Sequence, residues 1–190
     1  MTTLAVQDFD MAEDTRREIA KLIVTSAGQE KARDTRFALK TSIPTARVRR
    51  TGLKGIFSLE AEGDVIELAK LTYRKCRQHV GHATAVKEEV ESRFELIKKA
   101  AVRVGREQIG KEESFCFRIH KRGAHFLEHD TLTLEQEIGG AIWIALEEKH
   151  GGKPRVNLKN PDVAIVAEVL GPITAVGILR RAWREQVSAD

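Results

Sequence analysis

The chain has 190 residues, of which 32% are charged and 42% hydrophobic, so it is long enough to bury a core without disulfide or metal staples. This composition excludes an extended disordered chain, and no apolar run approaches the roughly 20 residues of a membrane helix. Thirty-two basic residues stand against 28 acidic ones, for a net charge of +4 and a pI of about 9.1. That balance is compatible with a polyanionic partner but does not require one.

The first 18 residues, MTTLAVQDFDMAEDTRRE, are acidic and weakly periodic and are expected to form a short helix or an arm. They lack the charged-then-apolar pattern of a secretory leader, so a cytoplasmic location is expected. Cys76 and Cys116 are far apart and form no CxxC pair, which predicts two packed thiols.

Residues 21–27, KLIVTSA, read as a buried strand closed by a turn at Gly28. Residues 29–40 set Ala32, Thr35, Phe37 and Leu39 among charges, the pattern of an amphipathic helix. Residues 43–51 and 55–60 read as two strands of a hairpin broken at Gly52. Residues 64–74, DVIELAKLTYR, form a helix with Asp64 as N-cap, and residues 79–90 close the half as a strand. The order β-α-β-β-α-β is that of a ferredoxin-like domain, placed at residues 19–90.

A second unit starts near Glu91. Phe94, Ile97, Ala101 and Val104 recur at helical spacing, leaving Lys98, Lys99, Arg103 and Arg106 toward solvent until Gly110 stops the helix. Residues 114–120 alternate strictly, with Phe115, Phe117 and Ile119 on one side and Cys116, Arg118 and His120 on the other. Thr133 with Gln136 fits a capping box for a helix whose apolar face is Leu134, Ile138, Ala141, Ile142 and Ala145. Gly139 and Gly140 inside it point to close packing of helix on sheet. A short strand at 155–158, a turn at Asn160-Pro161-Asp162, and strands at 163–169 and 173–179 complete the chain.

The chain holds no GxxxxGK[ST] phosphate loop, GxGxxG fingerprint, HExxH helix or GxSxG elbow, which argues against an autonomous enzyme and calls for no cofactor. His120, His125 and His129 with Cys116 offer metal-ligand types, but their spacing matches no zinc module, and exposed or locally hydrogen-bonded histidines are the simpler reading. More suggestive are Arg118, Lys121, Arg122 and His125, which lie in a stretch with no acidic side chain from Ser114 to Leu127. A positive local field and a glycine at Gly123, able to let a backbone come close, suit phosphate contact.

Three ordered blocks, SFCFRIHKRGAHFLE, LTLEQEIGGAI and VNLKNPDVAIVAEVLGP, resemble the THUMP domain of tRNA-modifying thiouridine synthases, methylases and pseudouridine synthases. The resemblance rests on the aromatic-basic strand Phe115 to Arg122, on Glu137-Ile138-Gly139, and on Leu158 to Glu168; Gln136 stands where many members carry arginine. It implies an α/β (α+β) fold, a ferredoxin-like domain followed by a THUMP domain at residues 91–190, and a tRNA-binding module that positions a catalytic domain. A stand-alone arrangement is similar to THUMP proteins that act as tRNA-binding adaptors for an RNA cytidine acetyltransferase in N4-acetylcytidine formation; VTSAGQE and RRTGLKGIFSLE also look like that subgroup.

The resemblance thus implies tRNA and a modification enzyme as partners. Arg118, Lys121, Arg122 and His125 are then expected to contact phosphates or the 3′ end, with Lys159, Asn160, Arg180 and Arg181 as neighbours. Arg47, Arg49 and Arg50 would extend the track into the first half, giving one continuous basic face. Two rivals stand beside this reading: a stand-alone enzyme using His120, His125 or Glu112-Glu113, and a protein-interaction module with an acidic partner.

Overall fold

The structure is a computed structural model that describes residues 18–28 and 32–185. The expected N-terminal arm, apart from Glu18, and the first residues of the expected helix at 29–40 lie outside the described residues.

Leu22, Ile23 and Val24 in β1 (Ile19–Ser26) are fully buried on both faces, as a central strand requires. It lies between β3 (Ile56–Glu62) and β4 (Val80–Glu91), antiparallel to both. The short β2 (Arg47–Arg50) pairs with β3 at the sheet edge, where its arginines can stay wet. Helix α1 (Ala32–Ser42) connects β1 to β2, and α2 (Val65–Cys76) connects β3 to β4. The Asp64 carboxylate caps α2, accepting from the N–H groups of Ile66 at 2.8 Å and Glu67 at 2.9 Å. The element order β-α-β-β-α-β is the one read from the sequence, with residues 43–46 outside β2.

The second half adds α3 (Phe94–Gln108), β5 (Ser114–Arg122), α4 (Thr131–His150), β6 (Arg155–Val156), β7 (Val163–Leu170), β8 (Ile173–Arg180) and α5 (Arg181–Glu185). One eight-stranded sheet in the order β2-β3-β1-β4-β8-β7-β5-β6 runs through both halves, joined by antiparallel β4 and β8. The parallel β5–β7 pair is connected through α4 and β6. Among the described residues no helix is long and apolar enough to cross a membrane.

The cap of α4 differs from the expected one. Asp130 accepts from the Thr133 N–H at 3.0 Å and its hydroxyl at 2.6 Å, so the helix starts two residues before Thr133 and owes nothing to a Thr133–Gln136 box. Strand β6 ends at Val156 because Asn157 turns the chain, its Oδ1 accepting from Lys159 N at 3.1 Å and Asn160 N at 3.0 Å. Helix α5 had no sequence expectation; buried Trp183 anchors it.

The long helices and one face of the sheet share a single core that includes Leu22, Leu39, Tyr73, Ile97, Phe117, Ile138 and Ile165. Gly105 lets α3 and α4 approach, since a Cβ there would lie 2.9 Å from Ile142 Cγ2. Gly139 faces Phe117 at ordinary contact distance, whereas nothing lies near Gly140, so only the first of the pair serves packing.

On its other face the sheet curls. A register shift between Val86 and Glu88 bends β4, and a Cβ at Gly177 on β8 would overlap the Ala85 carbonyl oxygen. The curl lets His82 on β4 reach Glu168 on β7 across the intervening β8. It also brings the β2–β3 loop round to the end of β5, where a Cβ on Gly123 would lie 3.6 Å from Leu53 Cδ2.

Candidate nucleic-acid interface

Strand β5 carries Phe115, Phe117 and Ile119 into the core, as its alternation predicts, and turns Arg118, His120 and Arg122 to the other face. Cys116 is on that second face yet buried. Burial pushes its thiol up, as it does that of Cys76, and both are free cysteines. They are packed thiols with little thiolate character.

The acid-free stretch around β5 is acid-free only along the chain. Arg118 pairs with Glu135 of α4 at 2.9 Å and donates to the Leu158 carbonyl at 2.6 Å. Lys121 donates to the His129 carbonyl at 2.9 Å, and Arg122 pairs with Glu168. His125 Nδ1 accepts from the Leu127 N–H at 3.3 Å. Two of the three cations of this strand, Arg118 and Arg122, are therefore paired with acids that the fold brings in, while Lys121 meets only a carbonyl. Gly123, at φ +73, serves the neighbouring turn: a Cβ would meet Gly171 N at 3.2 Å. Its small size is already used inside the protein.

Of the remaining candidates, Lys159, Asn160, Arg180 and Arg181 lie together, Arg181 donating to the Asn160 carbonyl at 3.4 Å. Lys159 and Asn160 occupy the turn after β6, next to the carbonyl that holds Arg118. Arg180 ends β8 and Arg181 opens α5; Arg180 pairs with Glu113 at 2.5 Å and Arg181 with Asp162 at 2.5 Å. Asp162 also accepts from the Ser114 hydroxyl at 2.6 Å and its N–H at 2.8 Å, and these hydrogen bonds hold its carboxyl below the usual range. Arg180 aligns with Val163 and Arg122 with Leu170, so these two arginines lie about 23 Å apart along β7, with Arg118 between them beside Val166. Arg47, Arg49 and Arg50 sit on the opposite edge strand, Arg49 paired with Glu60 at 3.0 Å. The curl nevertheless turns the loop after Arg50 toward the end of β5.

The same geometry separates the residues of the stand-alone enzyme reading. Glu112 and Glu113 precede β5 and His120 lies near its end, about 20 Å away along an extended strand. Nor are His120, His125, His129 and Cys116 gathered as ligands; His129 stacks on Phe94 with centroids 5.9 Å apart.

What the fold gathers was not read from the sequence. Glu168, with a side chain fully out of solvent, places Oε1 at 2.8 Å from His82 Nε2, 3.0 Å from His120 Nδ1 and 3.3 Å from the Thr84 hydroxyl. Arg122 takes Oε2. Burial alone would raise this carboxyl, but hydrogen bonds and charge from His120 and His82 outweigh it and hold the group far below its ordinary value. The rings of His82 and His120 lie 5.1 Å apart. One signal was available: Glu168 is the single acid in an otherwise aliphatic strand, VAIVAEVL, and a buried carboxylate needs partners. Nothing in the spacing named those partners.

Comparison with known structures bears on the fold alone. The chain is similar in fold to PH1313 from Pyrococcus horikoshii, at 19% identity and a TM-score of 0.57 over 85% of this chain and 54% of that one. It is similar to a 4-thiouridine synthetase solved in complex with RNA and ATP, at 20% identity and a TM-score of 0.57, covering 86% and 42%. TrmN from Thermus thermophilus gives 17% identity and a TM-score of 0.57, covering 83% and 45%. The chain thus spans about half the length of the solved structures it matches. None of the curated protein sequences matches it. The THUMP domain family matches residues 91–179, from the end of β4 through α3, β5 and α4 to β8, and this part of the chain is a THUMP domain.

Proposed function

We propose that this chain binds tRNA and acts as a non-catalytic adaptor in tRNA modification, with N4-acetylcytidine formation by a partner RNA cytidine acetyltransferase as its pathway and the cytoplasm as its location. The observation that carries the reading is the THUMP domain at residues 91–179 together with a fold likeness that spans both halves of the chain, 86% of it, in a synthetase crystallised with RNA. In this reading residues 19–90 form a ferredoxin-like domain that works with the THUMP domain as one tRNA-holding unit. In the adaptor reading this chain holds the tRNA and the partner acetyltransferase supplies the chemistry.

Candidates for phosphate contact divide by how the fold uses them. Lys159 and Arg50 carry cationic side chains with no ion pair among the described residues, which leaves them available to an incoming polyanion. Arg118, Arg122, Arg180 and Arg181 each hold an acidic partner, so their contribution requires sharing a guanidinium between that partner and a phosphate. Lys121 would exchange a carbonyl for a phosphate.

The test is recovery of cellular RNA crosslinked to the full chain, followed by profiling of modified nucleosides after gene deletion. Enrichment of tRNA and loss of acetylcytidine are expected. A crosslinked pool without tRNA would overturn the binding reading. Loss of thiouridine would instead support a second reading, an RNA-binding module of a thiouridine-forming system, which the likeness to the 4-thiouridine synthetase favours.

A further inference from the structure

We propose that His82, His120 and Glu168 form a binding site for a divalent transition-metal ion at the junction of the two halves of the sheet. His82 Nε2, His120 Nδ1 and Glu168 Oε1 all lie within 4.8 Å of one another, with both imidazole nitrogens at 2.8 and 3.0 Å from the same carboxylate oxygen. Ligand bonds of about 2.0–2.2 Å place neighbouring ligand atoms about 3.0 Å apart around an octahedral ion and about 3.4 Å apart around a tetrahedral one. The two separations from the carboxylate oxygen, 2.8 and 3.0 Å, need only a small opening to admit an ion, while the two imidazole nitrogens, within 4.8 Å of each other, would close on it. Two imidazoles and one carboxylate make a donor set suited to zinc, cobalt, nickel or iron(II), and too rich in nitrogen for magnesium or calcium.

The surroundings support each ligand. Thr25 Oγ1 lies 3.1 Å from His82 Nδ1 and accepts the His82 main-chain N–H at 3.0 Å, which fixes the ring with Nε2 toward Glu168. Arg122 occupies Oε2, leaving Oε1 as a single-oxygen ligand of fixed direction. Glu168 Oε1 is also crowded: two imidazole nitrogens and the Thr84 hydroxyl converge on it. Each imidazole nitrogen at such a distance from the carboxylate oxygen shares with it either an N–H proton or a cation. Because Arg122 already balances Glu168, the site is weaker than a closed structural zinc site. The side chains of His82 and His120 are 22% and 34% exposed, so water completes the coordination, and the ion presents open positions toward solvent. His82 belongs to the first half and the other two ligands to the THUMP domain, so the ion would tie the halves together.

The site is tested by titrating the full chain with Zn2+ calorimetrically and with Co2+ by visible absorption. One equivalent per chain is expected, with a rise in melting temperature that grows with metal concentration. His82→Asn and His120→Asn should each lower affinity at least tenfold and remove the thermal shift, while His150→Asn should leave both unchanged. Unaltered binding in either of the first two variants, or no binding by the wild-type chain, would overturn the proposal. Should those variants fail to fold, the wild-type chain still decides the matter. Paramagnetic Co2+ should shift the imidazole resonances of His82 and His120 before any other, and shifts centred on His125, His129 or His150 would refute the site.

Discussion

Arg122 and Glu168 form an ion pair between the parallel strands β5 and β7, with the carboxylate fully buried and the guanidinium about a quarter exposed. An arginine expected to meet phosphate is thus also the counter-charge of an internal acid. Arg122→Ala should lower stability by about 2–3 kcal/mol, below the full range for breaking a buried pair because His82 and His120 still hold Glu168. Urea denaturation measures this. A loss under about 0.5 kcal/mol would mean that the pair contributes little to the fold.

The same carboxylate sets an acid limit. Burial opposes ionisation of Glu168, but the hydrogen bonds and charges of His120 and His82 prevail, so its folded pKa lies below the ordinary 4.5. A depressed folded pKa contributes stability that is present above the unfolded value and is lost as pH falls toward the folded one. Stability should therefore decline below about pH 4.5, and Glu168→Gln should flatten that part of the profile. Parallel profiles of the two proteins would show that other carboxylates dominate.

Two glycines should respond in opposite senses. Gly177→Ala forces a methyl group into the Ala85 carbonyl where β8 crosses β4, and should cost about 3 kcal/mol or prevent folding. Gly140 sits inside α4 with nothing near its added Cβ, so Gly140→Ala should stabilise by roughly 0.5–1 kcal/mol. Thermal melts of both variants check the pair.

Binding and folding should separate by residue. Lys159→Glu and Arg50→Glu should weaken tRNA binding and each reduce its salt slope by about 1 while leaving the melting temperature unchanged. Lys121→Glu with Arg122→Glu should weaken binding strongly, with a lowered melting temperature from the second change. Mobility-shift titrations over a salt series, run beside thermal melts, give both readouts. Full tRNA affinity in the Lys121/Arg122 variant would remove the end of β5 from the interface.

Loss of the α2 cap gives a local control. Asp64→Ala should cost about 1 kcal/mol, because two N–H groups of the first turn lose their acceptor. A circular-dichroism melt with unchanged tRNA affinity at low temperature would keep this effect apart from binding.

The sequence by itself determined what short-range periodicity and chemistry control. Alternation in SFCFRIHKR predicted which side of β5 enters the core, Asp64 announced its helix, and the three ordered blocks carried the THUMP resemblance. Charge along the chain was a poorer guide. Only the tertiary structure brought Glu135 to Arg118 and Glu168 to Arg122, because strand pairing and the α4 crossover join residues distant in sequence. It alone drew His82 across β8 to His120, through a bulge at Val86 and Glu88 and the missing side chain of Gly177. Local patterns fix which way a side chain points from its own strand. Which side chains it meets depends on sheet order and curl, and these are decided by the packing of the whole chain.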